Sequence, residues 1–267
     1  MSPDEFKIAG YSVIDWLAEY LREIENSPIK SQVAPGEIKA KLPKYPPKVG
    51  EAFGKILLDL DDVVMPGLVN WQHPNFFGYF PANSSPPAIL GDLLSSGLGV
   101  QGMLWSTGPA ITEIETQMLD WLVHLCGLPK KFLSTEAGGG VIQDSASSST
   151  LCAILAARER VGGIPELTSM AAYISDQAHS SVEKDLLIAG IPENRICKIP
   201  TNERNEMDCV ALKNTINENL QIGIKPFIIV ATVGTTSTGA IDNVERIAGI
   251  AKKFNTWTHV DAAWAGS

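Results

Sequence analysis

The stretch Phe227-Ile228-Ile229-Val230-Ala231-Thr232-Val233, which runs into Gly234-Thr235-Thr236-Ser237-Thr238-Gly239-Ala240-Ile241-Asp242, decides the fold. A continuous apolar, β-branched run of this length reads as a strand covered on both faces, the condition of a strand inside a parallel sheet. The small polar loop at its carboxyl end is of the kind that lines ligand crevices in open α/β sheets, although Gly/Thr loops also simply join strands to helices. On either side the same alternation continues. Strands are expected over 170–175, 195–199 and 256–260, and helices over 180–189, 210–220 and 244–254. Strand, helix, strand in repetition argues an α/β domain with a mostly parallel sheet flanked by helices.

Upstream the pattern changes. Phe6, Gly10, Val13, Leu17, Tyr20, Leu21 and Ile24 recur at three- and four-residue intervals, marking an amphipathic helix that opens on Ser2-Pro3-Asp4-Glu5 and ends at Asn26-Ser27-Pro28. Residues 33–49, rich in proline and lysine, read as an extended connector, and a second helix is expected over about 50–64, ended by Pro66-Gly67. Two helices joined by an extended arm make a poor core of their own, so this segment is expected to lie on a partner subunit or on the main domain. Trp71, Phe76, Phe77, Tyr79 and Phe80 then crowd a turn-rich stretch, more aromatic side chains than a surface loop needs. Helices are expected over 86–98 and 109–126. No internal repeat is present.

The chain of 267 residues carries a formal charge of −9, which argues against a nucleic-acid partner, since phosphate backbones demand a basic patch. No run of eighteen apolar residues exists, so no membrane span is expected. The amino terminus is acidic and lacks an apolar stretch with a cleavage site, so a signal peptide is not expected and a cytoplasmic protein is. Cys126, Cys152, Cys197 and Cys209 form no C-x-x-C pair and read as buried free thiols. Neither zinc-finger nor H-E-x-x-H spacing occurs, and no metal is expected.

Three elements can carry chemistry. Residues 136–150, from Glu136 through Gly138-Gly139-Gly140 to Ser147-Ser148-Ser149-Thr150, run into a helix expected over 151–160 and offer N–H and O–H donors to an anion. The stretch is neither a Walker A loop nor a dinucleotide fingerprint, and it reads equally as a Ser-rich helix cap. His179 follows Ser175-Asp176-Gln177-Ala178 at a strand end, where it would stack on a flat ligand, shuttle protons or cap the next helix. His73, His124 and His259 read more readily as structural or surface histidines. Finally, Thr258-His259-Val260-Asp261-Ala262-Ala263-Trp264 places a carboxylate at the end of a strand, where burial is costly unless a cation pairs with it. His259 and Asp261 share a face by alternation. A planar, phosphorylated cofactor with a cationic nitrogen fits all three elements, and pyridoxal 5'-phosphate is such a cofactor.

The sequence resembles the group II pyridoxal-phosphate-dependent decarboxylases, especially the aromatic-L-amino-acid decarboxylases. The resemblance is carried by His73-Pro74-Asn75-Phe76-Phe77-Gly78-Tyr79-Phe80-Pro81, residues 138–150, Ser175-Asp176-Gln177-Ala178-His179-Ser180-Ser181, Ala231-Thr232-Val233-Gly234-Thr235-Thr236 and residues 259–267, in the family's order. It implies a fold type I, transferase-like large domain over 85–267, preceded by a helical arm over 1–84 that packs on the other subunit of a homodimer. It implies Ala146 and Ser147 at the cofactor phosphate, His179 stacked on the pyridine ring, Thr236 beside the cofactor, Asp261 on the ring nitrogen and Ala263 under the ring. Trp71, Tyr79, Phe80, Pro81 and Ala82 resemble residues of the substrate pocket, and His179 and Asp261 resemble the catalytic pair. The implied activity is decarboxylation of an aromatic amino acid, with Asp261 keeping the ring nitrogen cationic so that the electrons left by CO₂ delocalise into the ring. Glutamate, histidine or a diamine as substrate, aldehyde synthesis, and a non-catalytic dimerising product are the alternatives.

The family's Schiff-base lysine lies a few dozen residues beyond the aspartate. None of Lys184, Lys198, Lys225, Lys252 or Lys253 stands in such a context, so the chain is expected to be a truncated, inactive form of the parent enzyme. Smaller departures are Ala82 where many relatives carry a hydroxyl, Trp264 where tyrosine is common, and Asp144 where glycine is usual. Asp144 is expected to weaken the phosphate contact.

Overall fold

The computed structural model describes residues 1–80 and 84–266, so Pro81, Ala82, Asn83 and Ser267 lie outside the described residues. The chain divides into two compact units, Met1–Leu90 and Gly91–Ser267.

In the first unit, helix α1 (Pro3–Glu23) starts on a reciprocal cap. The Ser2 hydroxyl accepts the Glu5 N–H at 3.2 Å, and the Glu5 carboxylate accepts the Ser2 N–H at 2.6 Å. A 3₁₀ turn, Ile24–Asn26, closes the helix before Pro28. The connector expected to be extended contains a short helix, α2 (Glu37–Lys41), entered through Gly36 at φ +90°. Helix α3 (Phe53–Asp59) starts later than its sequence pattern suggests and loosens into a π turn, Leu60–Val64, then a 3₁₀ turn, Met65–Gly67.

Polar ties hold this unit as much as apolar burial does. Asn70 donates to the Pro28 carbonyl (2.7 Å) and accepts from the Tyr20 hydroxyl (3.3 Å), while the Trp16 indole donates to Asp61 (3.0 Å). His73 is buried, lies 3.3 Å from the Glu25 carbonyl through Nε2 and accepts the Asn75 N–H through Nδ1. Of the apolar side chains here only Ile24 is buried among the described residues, while Phe6, Ile8 and Tyr11 on α1 stay exposed.

Helix α4 (Pro86–Leu98) crosses the division and α5 (Pro109–Leu125) follows. Then comes the α/β region: α6 (Ala146–Arg160), β1 (Met170–Ser175), α7 (Ser180–Ile188), β2 (Ile196–Ile199), α8 (Cys209–Gln221), β3 (Lys225–Thr232), α9 (Val244–Lys253) and β4 (Trp257–Asp261). The four strands are parallel, in the order β2-β1-β3-β4. Ile154, Ala172, Ile174, Val182, Leu186, Ile228 and Val230 build the core between the sheet and α6/α7. Ala171, Tyr173, Leu212, Ile216, Ile229, Ala231 and Ile247 build the one beneath α8 and α9. The two sets alternate along β1 and β3, as strands covered on both faces require. A register shift inserts Phe227 between the partners of Ala171 and Ala172, so Phe227 and Ile228 both reach the α6/α7 core.

Two expectations about burial change as well. Cys126 and Cys152 are exposed, Cys197 is half-buried and Cys209 alone is buried. Cys152 lies off the Thr150, Ile154, Ala157 stripe that α6 buries, and Cys126 caps α5 beyond its buried Val123. Asp261 is half-buried rather than buried, because β4 is the edge strand of the described sheet.

Candidate functional site

The strand order turns back on itself between β1 and β3, since the chain goes outward from β1 to β2 and then returns to the other side. Open α/β sheets bind ligands outside the carboxyl ends of the strands at such a point. The segments leaving β1 and β3 there carry His179 and Thr236, and the next strand end carries Asp261.

Helix α6 begins at Ala146, five residues before its expected start, because Ser145 and Ser148 cap it reciprocally at 3.2 Å. The Ser148 hydroxyl also bonds to the Asp144 carboxylate. Asp144 is therefore tied into the cap, and the Ser-rich reading as a cap holds for Ser145 and Ser148. The first-turn N–H groups of Ala146 and Ser147 have no intrahelical acceptor, and the Ser147 hydroxyl is no part of the cap network, which leaves this pair toward an anion. The glycines before the helix serve packing: a Cβ on Gly138 would strike the Lys131 carbonyl, and one on Gly140 would sit 3.0 Å from Leu119.

Thr150, one turn further, ties α6 to β4, with its hydroxyl 3.3 Å from His259 Nε2. Burial holds the His259 imidazole below its ordinary range, while the Asp261 carboxylate pulls it the other way. His259 and Asp261 alternate onto one face of β4, the face that α6 covers, so the helix start and the carboxylate belong to one side of the sheet. No cationic side chain among the described residues pairs with Asp261.

His179 is exposed and is itself the cap of α7, one of the roles its position suggested. Its Nδ1 accepts the Ser181 N–H at 3.2 Å and contacts the Ser181 hydroxyl at 2.8 Å. The two contacts fix the ring while leaving a flat face open. Thr236 and Ala263 are also exposed.

The loop after β3 is braced from several directions. Gly234 takes φ +85°, which glycine alone adopts freely, and its carbonyl accepts the Trp264 indole N–H at 2.8 Å. Thr235 is buried; its hydroxyl pairs with that of Thr238 and accepts the Ala240 N–H. Asp242 reaches back to accept the Met207 N–H (2.6 Å) and the Thr232 N–H (2.8 Å). Burial pushes its carboxyl above the usual range, and these two N–H groups oppose that. Sequence reading placed Thr150 among the donors to an anion, where the structure turns it to His259, and gave Asp242 and Thr232 no role of their own; the legible signal was a lone acid or hydroxyl at the edge of an otherwise apolar element.

In the first unit Trp71 stacks with Tyr79 at 5.5 Å and 19°, and tilts against Phe76 at 5.0 Å. Tyr79 takes φ +57°, a strained conformation for a side chain of its size. Phe80 is partly exposed, and Pro81 and Ala82 lie outside the described residues.

A family model described as the pyridoxal-dependent decarboxylase conserved domain matches residues 35–267. The chain belongs to this family. Aromatic-L-amino-acid decarboxylase of Rattus norvegicus is 41% identical over 280 residues, covering all of this chain and 58% of its own length. Phenylacetaldehyde synthase of Petunia hybrida is 40% identical over 272 residues, covering all of this chain and 54% of its own length. Tryptophan decarboxylase of Catharanthus roseus, solved in complex with L-tryptophan, matches with a TM-score of 0.96 at 38% identity, over 100% of this chain and 58% of that one. The chain thus spans about half the length of the curated relatives it matches. The parallel sheet flanked by helices is the family's fold, as expected.

Proposed function

We propose that the whole protein, whose curated relatives run to nearly twice the length of this chain, acts in pyridoxal-phosphate-dependent decarboxylation of an aromatic L-amino acid, giving the corresponding amine and CO₂. The observation that carries this reading is the Thr150–His259 contact, which sets the anion-ready start of α6 and the unpaired Asp261 on one side of the sheet.

The residues present fit the cofactor. The Ala146 and Ser147 N–H groups with the Ser147 hydroxyl would hold its phosphate, the His179 ring offers a plate for the pyridine, and Asp261 would hold a proton on the ring nitrogen. Thr236 and Ala263 would stand beside it. Bound there, the cofactor supplies a cationic ring that accepts the electron pair left at Cα when CO₂ departs. Asp261 keeps that ring charged, because losing the proton would leave the carboxylate without its counter-ion. The Gly234–Trp264 bond and the Asp242 anchor keep the loop carrying Thr236 in place.

Trp71 and Tyr79, which stack on each other, and Phe80, next in the chain, offer aromatic side chains for a substrate ring and favour an aromatic amino acid. The unburied apolar faces of α1, with Phe6, Ile8 and Tyr11, are read as the contact of the 1–84 arm with a second copy in a cytoplasmic homodimer.

The test is incubation of the whole protein with pyridoxal phosphate and L-tryptophan, L-tyrosine, L-phenylalanine and L-glutamate in turn, with CO₂, amine and aldehyde quantified separately. Amine from an aromatic substrate supports the reading. Aldehyde in place of amine moves the protein to aldehyde synthesis, and no binding of the cofactor removes the proposal.

A further inference from the structure

Among the described residues two buried side-chain polar atoms have no hydrogen-bond partner, Asp185 Oδ2 and Thr232 Oγ1. Thr232 is only 3% exposed, and its backbone N–H is satisfied by Asp242, so the hydroxyl alone is left over. Valine has the same branched shape and would fill this strand position without burying an unpaired donor. An orphaned hydroxyl in a well-packed strand calls for an explanation.

Its place supplies one. Along β3, Ile228 and Val230 face the α6/α7 core, and alternation puts Thr232 on that face at the strand's carboxyl end. Across the parallel ladder Val230 pairs with His259 and Thr232 pairs with Asp261. His259 is fixed on the α6 side by Thr150, so Asp261, two residues on, stands on the side of the Thr232 hydroxyl. Adjacent strands lie about 4.8 Å apart, which puts this hydroxyl and the carboxylate within one rotamer change of a hydrogen bond.

The geometry points to Thr232 as a positioning residue for Asp261: its hydroxyl donates to the carboxylate when the cofactor site is filled, fixing the oxygen that faces the ring nitrogen. This rests on the cofactor reading above. The hydroxyl gains its partner when a cation immobilises the carboxylate.

The test uses pyridoxine 5'-phosphate, which carries the ring nitrogen and the phosphate but no aldehyde, so its binding needs no lysine. Dissociation constants are measured by equilibrium dialysis for the wild type, Thr232→Val, Thr232→Ser, Asp261→Asn and Asp261→Asn with Thr232→Val, with a thermal melt of each. Thr232→Val is expected to weaken binding about tenfold, the scale of one hydrogen bond to a charged group, while melting no lower than the wild type. Thr232→Ser restores affinity to within about twofold, and in the Asp261→Asn background Thr232→Val changes it by less than about twofold. If Thr232→Val does not fold, Thr232→Ala replaces it with the same expectations for binding. Wild-type affinity in the hydroxyl-free variant, or an equal loss with and without the Asp261 carboxylate, overturns the inference alone. No binding by the wild type overturns the cofactor reading and the inference with it.

Discussion

Thr150 Oγ1 and His259 Nε2 lie 3.3 Å apart, and through them the helix that starts at the candidate phosphate cup is fixed to the strand that ends in Asp261. The pair is separated by 109 residues, so it brings distant parts of the sequence to one site. It also carries a pH signature. Burial lowers the His259 value in the folded chain, so below the ordinary imidazole value of about 6.5 the unfolded chain binds more protons than the folded one. Stability from this group is complete above that value and is lost as pH falls through the depressed folded one. Urea unfolding between pH 7.5 and 5 is expected to show a falling midpoint that flattens in His259→Gln. Equal slopes in both proteins would remove His259 as the cause.

Asp242 is the anchor of the loop after β3. Each of its carboxylate oxygens accepts one buried N–H, from Met207 and Thr232. Asp242→Asn keeps one acceptor and turns an amide N–H₂ toward the other donor, leaving two hydrogen-bearing groups face to face. The expected loss is about 2–3 kcal/mol, the scale of a buried hydrogen-bond network broken at one point, read from the urea midpoint at constant slope. A loss below about 0.5 kcal/mol would mean that water enters and replaces the carboxylate.

Gly234 meets two constraints at once. At φ +85° any side chain is strained, and the space a Cβ would take is filled by the Trp264 indole. Gly234→Ala is therefore expected to cost about 1–3 kcal/mol and to break the indole N–H bond to the Gly234 carbonyl. Hydrogen exchange should show faster exchange across 233–241 with the sheet amides unchanged; unchanged protection in that loop would refute the packing argument.

Much of this was legible because the relevant signals are local. The β3 run, the Ser2/Glu5 cap and the alternation of His259 with Asp261 are set by side-chain period and by groups three or four residues apart. The early start of α6 was missed because Ser145 and Ser148 serve each other, and a serine cluster does not show which members are spent on capping. The exposure of Asp261 was misread since burial at the end of a strand depends on what lies beyond the edge, which no spacing within β4 encodes. Thr232 stayed hidden in an apolar run for the same reason: its meaning comes from its register partner across the ladder.

The Asp261 side chain makes no hydrogen bond or ion pair with any described residue, and this separates its role in folding from its role at the site. The bonds that fix its strand end belong to the backbone, where the Val233 N–H donates to the Asp261 carbonyl at 2.8 Å. Asp261→Ala keeps that bond and removes a carboxylate whose charge acts on the His259 ring, where burial outweighs it. Folding stability is expected to change by less than about 0.5 kcal/mol. Cofactor affinity should fall on the order of a hundredfold, because a pyridinium would then sit beside an apolar strand end with no counter-ion. Decarboxylation, where the protein performs it, should fall by orders of magnitude as the ring loses its proton. Asp261→Glu is expected to fall between the two, retaining charge at a displaced position. Calorimetry with pyridoxine 5'-phosphate and a urea titration on the same samples decide the matter: a variant that binds normally, or one that unfolds in step with its loss of binding, would show that this carboxylate holds the fold and not the ring.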